Sequence, residues 1–104
     1  MTNPMDTNKV VALLQQQLPV WRQKYPIQSL ALFGSYSRNE ATEESDIDLL
    51  ITFSNNEIGY EYLDLDIDVQ QLFGNKKIDL VTPAAIQPHY WPFIKEDLYY
   101  VYSL

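Results

Sequence analysis

Two short aliphatic runs, Ile27–Phe33 (IQSLALF) and Ile47–Phe53 (IDLLITF), do most to limit what this chain can fold into. Pro26 precedes the first and Gly34 ends it, while Ser54-Asn55-Asn56 closes the second with turn-forming residues. Short apolar segments bounded in this way predict buried strands. Lys77–Val81 (KIDLV) predicts a third strand. The segments around them carry a helical period. From Asp6 to Tyr25, Val10, Val11, Leu14, Leu18 and Trp21 recur three, four and seven apart, with Asp6 or Thr7 as N-cap. Pro19 predicts a kink or a restart in that helix, and Pro26 blocks its continuation. A second helix is predicted over Glu57–Phe73, with Tyr62, Leu65, Val69, Leu72 and Phe73 on one side and Gly74-Asn75 as its stop. A short helix is expected near Pro88–Asp97. Leu98–Leu104 reads either as a fourth, edge strand or as a packed tail.

This order predicts an α/β (α+β) fold, a small mixed β-sheet with helices packed on one face. At 104 residues the chain has room for one core, so residues 1–104 are expected to form a single domain. Hydrophobic residues make up 46% and charged residues 20%, which suits a globular chain and excludes a disordered one. The absence of cysteine excludes a disulfide scaffold and a thiolate metal site. The N-terminal MTNPMDTNKV lacks the pattern of a signal peptide, and no apolar run approaches the ~20 residues that span a bilayer. A soluble, cytoplasmic protein is expected. Fourteen acidic against seven basic residues give a net charge of −7. Such a surface disfavours non-specific nucleic-acid binding and suits divalent cations or a basic protein partner.

The residues that carry chemistry lie where the first strand ends and the second begins. Gly34 lets the backbone turn tightly and approach a ligand, and Ser35 adds a hydroxyl beside amide groups able to bind phosphate oxygens. Asp46 and Asp48 are two apart on a predicted strand, so their side chains share a face. Paired carboxylates repel unless neutralised, and hard Mg²⁺ prefers such oxygen ligands. Asp79 sits among aliphatic residues in the third predicted strand and joins the pair if that strand lies beside the second. Taken singly, each feature has an ordinary explanation: a turn, a solvated strand start, or an ion pair of Asp79 with Lys76 or Lys77. Taken together, three carboxylates around one or two metal ions equip a chain for phosphoryl or nucleotidyl displacement.

Leu32-Phe33-Gly34-Ser35-Tyr36-Ser37-Arg38, with Ser45-Asp46-Ile47-Asp48-Leu49-Leu50, resembles the minimal nucleotidyltransferases of the polymerase-β-like superfamily. More narrowly, in length and in softer similarity, it resembles the MNT antitoxins encoded beside HEPN-domain toxins. The likeness runs from the first helix through Ile78-Asp79-Leu80-Val81-Thr82-Pro83, and its core is Gly-Ser, ten residues, then Asp-x-Asp. The resemblance implies that Gly34 and Ser35 hold the triphosphate of ATP. It implies that Asp46 and Asp48 bind two Mg²⁺ ions, and that Asp79 completes the metal site and helps to activate the attacking hydroxyl. Arg38 matches a basic position that can contact phosphate, although it can equally pair with Glu40 in a solvated loop. Asn39 stands where the family usually has Gly, and Asn tolerates the left-handed conformation such a turn requires.

The implied reaction is transfer of AMP from ATP to a hydroxyl, with a HEPN toxin supplying a tyrosine as acceptor, which makes a hetero-oligomer the expected assembly. Two alternatives are a non-catalytic antitoxin that neutralises its partner by binding, and a nucleotidyltransferase acting on a small molecule or an RNA end. Other residues read as structural. His89, the sole histidine, is expected in a surface or packing role. Asp64, Asp66 and Asp68 imitate a second metal motif, but helical spacing scatters them around a solvated cylinder. Tyr99, Tyr100 and Tyr102, with Trp91 and Phe93, are expected to pack in the core or, failing that, to form an interface. Trp21 is expected to pack the first helix on the sheet.

Overall fold

The computed structural model describes residues 6–55, 58–74 and 76–104. Helix α1 spans Thr7–Lys24 and leads into strand β1, Ile27–Phe33. A 3-10 turn over Gly34–Tyr36 and a loop connect β1 to β2, Ile47–Phe53. Helix α2 (Tyr60–Phe73) and strand β3 (Ile78–Val81) follow. Two further 3-10 turns, Pro83–Ala85 and Pro88–Tyr90, run into α3 (Trp91–Asp97) and then β4 (Tyr99–Ser103). The sheet order is β3-β2-β1-β4, with β2 and β3 parallel and the other pairs antiparallel. The expected mixed sheet is therefore present, and the C-terminal run is its fourth, edge strand rather than a tail.

Helix α1 starts where Asp6 accepts a hydrogen bond from the Lys9 amide at 2.8 Å. Of the two candidate caps, Asp6 takes the role. Pro19 does not restart α1, which runs on through it as one helix of 18 residues. The reason is placement: Pro19 and Gln15, one turn before it, are both exposed. The carbonyl that loses its amide partner can thus turn to water. Helix α2 begins at Tyr60, after the expected Glu57, which lies outside the described residues, as do Asn56 and Asn75. It ends at Gly74, whose positive φ of 63° stops the helix.

The core forms between one sheet face and the two long helices. Val10, Leu14, Leu18 and Trp21 of α1 and Leu65, Val69 and Phe73 of α2 pack with Leu30, Leu32, Ile47, Leu49, Ile51, Ile78 and Leu80. The inward residues of β2 and β3 alternate, as strands with one covered face require. A register shift between Ile27 and Ser29 moves β1 from one parity to the other, so that Ile27, Leu30 and Leu32 all face inward. Two polar clasps fix the helices. The Tyr25 hydroxyl donates to Asp68 at 2.7 Å, tying the end of α1 to α2, and the Tyr62 hydroxyl donates to the Leu80 carbonyl. The opposite sheet face, which carries Asp48, Leu50 and Asp79, is bordered by the C-terminal turns and α3. Among the described residues, no helix is long and apolar enough to cross a membrane.

Candidate active site

The site is set by strand register. Phe33, the last residue of β1, pairs with Asp48, so the chain turns away from β1 directly above that carboxylate. Gly34 makes the turn with a φ of 76°. A Cβ on Gly34 would lie 2.3 Å from Asp48 Oδ2, closer than any side chain permits. Two constraints, a left-handed backbone and a carboxylate in the space of a side chain, thus demand glycine here. The turn beyond it is anchored from α1 and from within. Thr7 Oγ1 donates to the Tyr36 carbonyl at 2.5 Å, Ser37 Oγ donates to the Gly34 carbonyl at 2.7 Å, and the Glu40 amide donates to the Ser35 carbonyl at 2.9 Å. Asn39 holds a φ of 60°, the left-handed position expected of it. The Ser35 hydroxyl makes no hydrogen bond within the described residues, which leaves it available to a ligand.

Asp48 and Asp79 are direct partners across the parallel β2–β3 pair. Their side chains share the face away from the core, close enough for each carboxylate to feel the other. Burial first, then the Asp79 and Asp46 charges, push the Asp48 carboxyl up from 3.8 to about 6, and Arg38 opposes this. Two of the three predicted acids are therefore in contact. Asp46 stands at the mouth of β2, close enough to act on Asp48, but its Oδ2 lies 3.6 Å from Lys77 Nζ. Sequence reasoning offered Lys76 or Lys77 as a partner for Asp79, whereas Lys77 faces Asp46. Lys76 instead donates to the Glu43 carbonyl at 3.1 Å and lies over the Tyr36 ring.

Among the described residues, no group of three acidic, histidine or cysteine side chains is gathered tightly enough to hold an ion as placed. The donor set nevertheless fits a hard divalent cation. Asp48, its proton affinity raised by burial and by the neighbouring Asp79 and Asp46 charges, is in the state that a cation relieves, and Asp46 would join the set by turning from an exposed lysine.

Arg38 pairs with Glu40 at 3.1 Å and also with Asp97 of α3. These hydrogen bonds, Glu40 first and then Asp97, raise the guanidinium further above its usual range. Of the two alternatives for Arg38, the pairing with Glu40 is present, and its charge also acts on Asp48. Asp97 went unnoticed in the sequence, because 59 residues separate it from Arg38 and no local spacing signals the pair.

The remaining candidates fall outside this cluster. His89 lies tilted against the ring of its neighbour Tyr90, with centroids 4.2 Å apart. Asp68 accepts from Tyr25 and Lys24, Asp66 accepts from the Gln70 amide, and Asp64 is exposed, so the three are scattered as helical spacing implies. Trp21 is buried against the sheet. The C-terminal aromatics depart from the expected core packing. Tyr102 packs partly on the core under Arg22, but Tyr99, Tyr100 and Phe93 are exposed, because β4 is an edge strand and α3 turns Phe93 outward.

The nucleotidyltransferase domain profile matches residues 14–101, which include Gly34, Asp46, Asp48 and Asp79. The chain belongs to the nucleotidyltransferase domain family. This nucleotidyltransferase is 39% identical over 97 residues to a Methanocaldococcus jannaschii protein named a putative protein adenylyltransferase, covering 90% of this chain and 96% of that one. It is 28% identical over 80 residues to the protein adenylyltransferase MntA of Thermococcus cleftensis, covering 77% of this chain and 80% of that one. Among solved structures, one described as a putative minimal nucleotidyltransferase superposes with a TM-score of 0.73 at 24% identity, over 91% of this chain and 95% of the other. A toxin–antitoxin crystal structure with AMP-PNP gives 0.64 at 20% identity, over 96% of this chain and 75% of the other. At such identities the structural likeness concerns the nucleotidyltransferase fold.

Proposed function

We propose that this nucleotidyltransferase transfers AMP from ATP to a tyrosine hydroxyl of a HEPN-domain toxin and thereby acts as its antitoxin. The carrying observation is the placement of the Asp48 carboxylate, in contact with Asp79 on one side and beneath the backbone of Gly34 on the other. A phosphate bound at the Gly34-Ser35 turn would lie next to the carboxylates that would hold a charge-neutralising divalent cation. The names of the relatives support protein adenylylation. A solved neighbour described as a tri-AMPylated Shewanella oneidensis HEPN toxin in complex with MNT antitoxin supports the class of partner.

In this reading Gly34 and Ser35 receive the triphosphate, the backbone by close approach and Ser35 through its uncommitted hydroxyl. Arg38 exchanges a carboxylate partner for phosphate. Asp46, Asp48 and Asp79 hold Mg²⁺. When bound, Mg²⁺ supplies charge neutralisation along the phosphates and lowers the proton affinity of the incoming hydroxyl. Asp79, on the parallel neighbour strand, takes the hydroxyl proton.

Growth measurement on co-production tests the antitoxin role. Cells making the HEPN protein with the wild-type chain are expected to grow, and cells making it with Asp46→Asn plus Asp48→Asn are expected to arrest. Rescue by the double variant would show neutralisation by occupancy alone and end the catalytic reading.

A further inference from the structure

Beyond the carboxylates, the same sheet face opens into a groove of about 840 Å³. Its floor is Leu50, Thr52 and Tyr100, and its walls include Pro83 and Trp91, with Lys95 on its lip. Leu50 and Thr52 continue the face of β2 that carries Asp48, and Tyr100 lies across Ala31 from Leu50. We infer that this groove seats an extended polypeptide segment of the acceptor and delivers its tyrosine to the carboxylates, an inference that rests on the nucleotidyl-transfer reading above.

In-line geometry selects the acceptor over the nucleotide. In such a displacement the attacking and leaving oxygens lie on opposite sides of the phosphorus. The Gly34-Ser35 turn stands at the Asp48 end of the strands, because Phe33 pairs with Asp48. The groove begins at Leu50, about 7 Å further along the same face. With the β- and γ-phosphates on the Gly34 side, the open line to the α-phosphorus comes from the groove. The tyrosine oxygen bonds to that phosphorus, and the bond from phosphorus to the bridging oxygen breaks. Pyrophosphate leaves on the Gly34 side, and the hydroxyl proton passes to Asp79. The lining favours polypeptide over nucleic acid. Of the residues that form it, Lys95 alone is charged, and one cation is a poor match for a phosphate backbone. Proline and aromatic walls suit an extended peptide, and Lys95 favours an acidic residue beside the tyrosine.

The test uses the full chain with Mg²⁺, AMP-PNP for nucleotide binding by calorimetry, and ATP with a pool of tyrosine-centred hexapeptides for transfer by mass spectrometry. Thr52→Trp fills the floor. Lys95→Glu reverses the lip at an exposed position that leaves the fold unaffected. The expected result is AMP on peptides with the wild type, and a KM for peptide raised roughly tenfold by Thr52→Trp and roughly threefold by Lys95→Glu, with AMP-PNP affinity within about twofold. Loss of AMP-PNP affinity in these variants would assign the groove to the nucleoside and overturn the inference. Wild type that binds AMP-PNP yet modifies no peptide would overturn it also, with the nucleotide site intact. Wild type that fails to bind AMP-PNP would take the underlying nucleotidyl-transfer reading down with it.

Discussion

At the residue scale the site depends on one close approach. Gly34 combines a positive φ with the Asp48 carboxylate in the volume of its missing side chain. Gly34→Ala is expected to cost about 2 kcal/mol in urea unfolding, through backbone strain and the displacement of Asp48, and to remove transfer. Asp48 is itself an opposed residue. Its charge is disfavoured by burial and by Asp79 and Asp46, so the protein keeps it at a cost to stability. Asp48→Asn, measured with a chelator at neutral pH, is expected to raise stability by about 1 kcal/mol while abolishing transfer, the trade expected of a functional residue. A loss of stability would mean that Asp48 is structural. Gly34, Ser35, Asp46 and Asp48 could be read from sequence because the motif is local and straddles a strand junction. Asp79 needed the assumption that the third strand lies beside the second, and the parallel pairing supplies it. The Arg38–Asp97 and Asp46–Lys77 pairs are tertiary, and no spacing along the chain foretells them.

At the element scale, hydrophobic periodicity and breakers located β1 and β2 to the residue, since Pro26, Gly34 and the Ser54 turn act on the backbone directly. The restart considered at Pro19 is absent because the effect of a proline depends on which face of the helix it occupies, and an exposed turn tolerates the lost bond. The C-terminal strand was ambiguous because LYYVYSL lacks a clean alternation, and only Val101 is buried in β4. The α1–α2 contact carries a pH signature. The Tyr25 hydroxyl first, then Lys24, lower the proton affinity of Asp68, whose side chain is 24% exposed. A depressed folded-state value means that stability is present above the ordinary 3.8 and lost as pH falls through the folded value. Asp68→Asn is therefore expected to be less stable than wild type by under about 1 kcal/mol at neutral pH, with the gap closing as the pH falls below the ordinary 3.8. Thermal melts across that range check this, and a gap that widens in acid would contradict it.

At the scale of the whole molecule, the fold divides its labour between two sheet faces. One face is spent on a core with α1 and α2, and it holds the strands in register. The other, left open by those helices, carries the carboxylates and, further along β2, the groove. The net charge of −7 makes a basic acceptor protein the natural partner for such a surface. The intact mass of the HEPN partner after incubation with this chain, ATP and Mg²⁺ tests the central claim most directly. The account predicts mass gained in whole AMP increments with the wild type and no gain with Asp46→Asn plus Asp48→Asn. An unchanged partner mass with the wild type, or an equal gain with the double variant, would contradict it.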